Sequence, residues 1–86
     1  MNEKDIAIFK RLYTEYATLD VKNKLKISEN ENAFSRGIIA GCKIGYETTL
    51  FTVMPYNEFE AFKHHLKMSL SNELKISYYE VEELLN

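Results

Sequence analysis

Ala33-Phe34-Ser35-Arg36-Gly37-Ile38-Ile39-Ala40-Gly41-Cys42-Lys43-Ile44-Gly45-Tyr46-Glu47-Thr48-Thr49-Leu50-Phe51-Thr52-Val53 is the stretch that decides the fold. It holds all three glycines of the chain, four residues apart, and Ala33 and Thr49 extend that spacing at either end. A four-residue step keeps side chains on one face of a helix. Each helical glycine costs about 1 kcal/mol relative to alanine. Three of them on one stripe call for a packing reason, so Ala33, Gly37, Gly41, Gly45 and Thr49 are the expected helix-packing or dimer-interface residues.

Two signals bound this helix. Ser28-Glu29-Asn30-Glu31 has the form of a capping box, with a serine hydroxyl for a free amide and a glutamate three residues on. Pro55 pushes Met54 out of the helical region. The expected helix therefore runs 29–53, about 37 Å at about 1.5 Å per residue. Arg36, Lys43 and Glu47 mark a narrow polar stripe, while Phe34, Ile38, Ile39, Cys42, Ile44, Tyr46, Leu50, Phe51 and Val53 cover most of the remaining circumference. A helix apolar that far round is enclosed on more than one side, as a central spine or in a dimer interface. The alternative is α+β. Residues 37–53 are rich in Ile, Thr and Val, which suit a hairpin bending near Lys43–Gly45.

The rest of the chain reads as three more helices. Asn2 caps the first, over 3–19, with Phe9, Leu12, Tyr16 and Leu19 on one face, widened by Ile6 and Tyr13. Its end is open, because Val21 and Leu25 continue the spacing. The next follows Pro55, with Asn57 as cap, over 58–70, and buries Phe59, Phe62, Leu66 and Leu70 with Ala61 beside them. It could also continue to Leu74. Ser77, with Glu80 three residues on, opens a short last helix. There Ile76 and Val81 form a hydrophobic staple and Val81, Leu84 and Leu85 an apolar edge. Leu-Lys-Ile-Ser occurs twice, at 25–28 and 74–77, and reads as one helix-start device used twice. The expected fold is an all-α bundle of three main helices plus a short C-terminal one, a single helical domain over 1–86.

At 86 residues and a net charge of -2, the chain lacks the overall basic character of a typical nucleic-acid binder. Lys22, Lys24 and Lys26 are the candidate nucleic-acid contacts, if they converge on one face. A single cysteine, Cys42, rules out an intramolecular disulfide and a cysteine-rich zinc site. It reads as a small buried hydrophobe, with Lys43 beside it the one feature favouring a reactive thiol. His64 and His65 are adjacent, point about 100° apart on a helix, and have no metal-ligand pattern around them. No metal, cofactor or catalytic constellation is expected, so the chain reads as non-enzymatic. The polar N-terminus and the charges within 37–54 argue against a signal peptide or membrane span and for a cytoplasmic protein. Tyr56, Tyr78 and Tyr79 lie at helix starts and are candidate partner contacts, exposed tyrosine being a favoured interface anchor.

Lys22-Asn23-Lys24, Ser28, Asn30-Glu31 and Ala33 resemble the run into the long helix of the Hha family of small nucleoid-associated regulators. Where that family carries Asp-His-Arg this chain has Ala40-Gly41-Cys42, and no residue role is carried over. The expected function is a small protein-binding accessory protein, a regulator or inhibitor similar to accessory proteins of phages and mobile elements, and a homodimer. The alternatives are a nucleic-acid-binding regulator and an oligomer that sequesters a small molecule.

Overall fold

Asn2 opens the first helix, α1 (Glu3–Lys24), its side-chain oxygen accepting the Asp5 amide at 2.9 Å. The computed structural model describes residues 1–26 and 32–86. Three helices follow: α2 (Ala33–Val53), α3 (Tyr56–Leu74) and α4 (Tyr78–Leu85). Among the described residues there is no strand, so the hairpin alternative for 37–53 is not supported.

Helix α1 outlasts the expected end at residue 19 because Val21 is fully buried and prolongs the apolar stripe. That stripe is also rotated from the expected one. Tyr13, Ala17 and Val21, at four-residue steps, are its deepest members, whereas Leu19 is exposed. Asp20 is turned inward with them, because it has cationic partners there.

The box at Ser28–Glu31 lies outside the described residues. Helix α2 is bounded by Asn32, whose side chain accepts the Ser35 amide at 2.8 Å. At its other end Met54 is extended, as the following proline demands. Pro55 itself occupies the cap position of α3, with no side-chain cap bond. The helix thus starts earlier than Asn57, since the proline ring already holds a φ that leads into it. Asn57 bonds instead to its neighbour, the Glu58 amide. Helix α3 runs on to Leu74, past the expected end at residue 70. Phe59, Leu66 and Leu70 are buried as expected, with Phe62 partly so, but Ala61 faces solvent.

The second copy of the repeated tetrapeptide, 74–77, proves to be a helix stop as well as a start. Lys26 and Lys75 are the non-glycine residues with positive φ, 58° and 57°. Each follows the last turn of a helix in the left-handed conformation that ends it. Lys75 and Ile76 both return their amides to the Ser71 carbonyl. Ser77 then caps α4 by accepting the Glu80 amide at 3.1 Å. Ile76 and Val81 both join the core, as the staple requires.

Side chains from all four helices meet in one core, among them Tyr13 and Val21 of α1, Leu50 of α2, Phe59 and Leu70 of α3, and Val81 and Leu85 of α4. Helix α2 is not its centre. It packs along α1, touches α3 only slightly, and leaves its far side open. The molecule measures 36 × 27 × 18 Å, and its thinnest dimension holds about two helix layers at roughly 10 Å each. The expected spine enclosed by its own chain is therefore corrected: α2 is an outer layer.

Candidate interaction surface

Two of the three charges expected on a polar stripe of α2, Lys43 and Glu47, turn inward, while Arg36 is exposed. Lys43 was expected on a polar stripe, but it is only 4% exposed. Its ammonium donates to Asp20 Oδ2 at 2.9 Å and to the Leu85 carbonyl at 2.8 Å. Lys24 reaches the same Asp20 oxygen at 3.1 Å and donates to the Leu84 carbonyl. The two lysines thus satisfy the last carbonyls of α4, at the negative end of its dipole. Glu47 also looks inward. It accepts from the Tyr13 hydroxyl at 3.3 Å and from the Lys63 ammonium, joining α1, α2 and α3. Burial, reinforced by the charge of Glu47, pushes the Tyr13 phenol far above its ordinary value.

With these residues and Ile39 and Leu50 turned inward, the opposite face of α2 is forced outward. Phe34, Ile38, Ile44 and Phe51 are 76%, 50%, 56% and 58% exposed. Gly37, Gly41, Gly45, Thr48 and Thr52 are exposed with them, and Thr49 is half-buried at the edge. No charged residue lies on this face between positions 34 and 52. The Thr49 and Thr52 hydroxyls donate back to the carbonyls of Gly45 and Thr48, at 3.0 and 2.9 Å. That satisfies their polar groups within the helix.

The glycines are the centre of this face. A Cβ placed on any of the three would meet nothing within 4 Å. Ala33 is exposed as well. Of the two expected roles of the small-residue stripe, packing within the chain or across a dimer, the first is not found at the glycines, because α1 lies against the opposite side. The large side chains Phe34, Ile38, Ile44 and Phe51, expected to be enclosed either within a central spine or in a dimer interface, are exposed within the chain. The four-residue glycine step was the only signal that could have located their face.

Beyond the end of this face, Thr48 and Phe51 continue into a shallow concavity of about 340 Å³ completed by Glu47, Phe59, Glu60 and Lys63. The Phe51 and Phe59 rings meet edge to face there, 5.5 Å between centroids.

The other candidate residues are scattered. Tyr56 and Tyr79 are exposed. Tyr78 is held to α3, its hydroxyl 2.9 Å from His64 Nδ1 and its ring beneath Lys67. Lys22 lies 3.8 Å from Glu73, and Lys24 is taken by Asp20, so a carboxylate stands beside each of them. Lys26 is exposed. Cys42 is half-buried, and Lys43 is turned away to Asp20. Among the described residues no group of three or more His, Cys, Asp or Glu side chains is placed to hold a metal ion, and no helix is long and apolar enough to cross a membrane. No protein-family model matches the chain, and no curated protein or solved structure does so either.

Proposed function

We propose that this chain is a non-enzymatic binding protein of the cell interior, a small accessory regulator or inhibitor that acts by docking the outward face of α2 against another protein chain. One observation carries the reading. A face with four large apolar side chains, three glycines and no charge stands open to solvent, while Lys43 and Glu47 of the same helix are directed at its own core and the exposed Arg36 lies off that face. Water would reward the reverse arrangement. Contiguous exposed apolar surface of this kind marks interaction sites. Three helical glycines without intrachain neighbours cost about 3 kcal/mol in the isolated chain at about 1 kcal/mol each. A close-fitting partner offsets that cost. The lysines at 22–26 lend no comparable support to nucleic-acid binding, since two of the three stand beside carboxylates.

The test places a charge on the face. Ile38→Asp and Ile44→Asp change side chains that are at least half exposed, so helix content should be unaltered by circular dichroism. Proteins retained by the wild-type chain should be lost from both variants. Equal retention by wild type and variants would remove this face as the binding site.

A further inference from the structure

We infer that the partner on this face is a second copy of the chain, its α2 helix antiparallel and related to the first by a two-fold axis beside Gly41; the inference rests on the binding-face reading above. The argument is one of shape. At about 100° per residue, Gly41 marks the outward centre line, opposite Leu50. Equal steps either side of it pair Gly37 with Gly45, Ile38 with Ile44, Phe34 with Thr48, and Ala33 with Thr49. Equal steps therefore match large with small or leave a glycine gap beside each large side chain, the self-complementarity that an isologous contact requires.

In the antiparallel arrangement Ile38 lies over the gap left by the partner's Gly45, and Ile44 over the gap left by the partner's Gly37. Gly41 meets its own copy, so the axes can approach to about 8 Å, the low end of helix packing. Phe34, near the centre line, comes level with the partner's Thr48, a large side chain against a small one. A parallel pair would bring Phe34 level with the partner's Phe34 at the line of closest approach and wedge one end open. Antiparallel dipoles also attract.

The area lies near the lower limit for a specific contact. The four large side chains, at the exposures given above, offer on the order of 400 Å² per chain. Two chains bring that to about 800 Å², and the glycine, alanine and threonine surface carries it toward the roughly 1,000 Å² of a specific interface. No charge on either copy is buried by the contact.

The test uses the whole chain. Sedimentation velocity should give twice 10.1 kDa at high concentration. Gly41→Leu should return the mass to 10.1 kDa with helicity retained, since nothing within the chain lies within 4 Å of that Cβ position. In a Cys42→Ser background, an oxidised mixture of the Gly37→Cys and Gly45→Cys chains should form a disulfide between the two, and neither chain should cross-link alone. Self-linking of Gly37→Cys would overturn the antiparallel pairing. A 10.1 kDa species at every concentration would overturn the dimer. If Ile38→Asp then still abolished capture of a different protein, the binding-face reading would survive without it. If that substitution changed neither mass nor capture, both would fall.

Discussion

Lys43 shows why a single side chain can reverse the reading of a helix. Its sequence neighbours are apolar, and an isolated lysine there suggests a solvent-facing stripe. The deciding partner is Asp20, 23 positions away in the chain, with the Leu85 carbonyl 42 away. Both ions are almost fully buried. Removing one partner of a buried pair leaves an uncompensated charge and costs about 3 kcal/mol or more. Lys43→Met is therefore expected to lower stability by about 3 kcal/mol in urea unfolding, with Lys24 still beside Asp20 to moderate the loss. The double variant Asp20→Leu with Lys43→Met should recover most of it, because an apolar pair of similar volume often replaces a buried ion pair at little cost. A double variant no more stable than Lys43→Met alone would mean that packing, not the uncompensated charge, sets the penalty.

At the scale of elements, some helix boundaries were legible because capping is local chemistry. Asn2, Pro55 and Ser77 each sit at a helix boundary in the sequence and in the structure. Less legible were the stops, because Lys26 and Lys75 adopt a left-handed conformation that glycine usually supplies. Such a residue costs about 1 kcal/mol or more where a Cβ is present. Lys75→Gly should raise stability by up to about 1 kcal/mol, read as a higher midpoint in thermal or urea unfolding. An unchanged midpoint would mean that the lysine side chain compensates for its own backbone. The rotation of α1 about its axis was not legible either. Phe9, Leu12, Tyr16 and Leu19 make as regular a stripe as Tyr13, Ala17 and Val21. Only the positions of α2 and α4 select the second.

Across the whole molecule, Tyr13 and Glu47 tie three helices together. The Tyr13 phenol titrates far above its ordinary value of 10.0, mainly through burial and then through the Glu47 charge. A raised folded value means that the neutral phenol is the form the native state favours. The stabilisation is complete below pH 10.0 and falls as pH rises above it. Tyr13→Phe is expected to lose about 1 kcal/mol at neutral pH with the bond to Glu47. The stability difference between wild type and variant should then shrink and reverse in strongly alkaline solution. A difference independent of pH up to the onset of alkaline unfolding would contradict this account of Tyr13.

Although the long helix starts at Ala33 and not at the expected residue 29, the sequence by itself determined that the chain is helical, where the first and last helices begin, and that one long helix with a ridge of glycines ends at Val53. These follow from interactions within a few residues: cap bonds, proline geometry and the four-residue period. Tertiary structure decided which way α2 faces. The pattern of α2 is apolar nearly all round, so periodicity favours no side. The choice falls to partners distant in the chain. Asp20, Tyr13 and Lys63 draw Lys43 and Glu47 inward, and the glycine ridge with Phe34, Ile38 and Ile44 is carried to the outside.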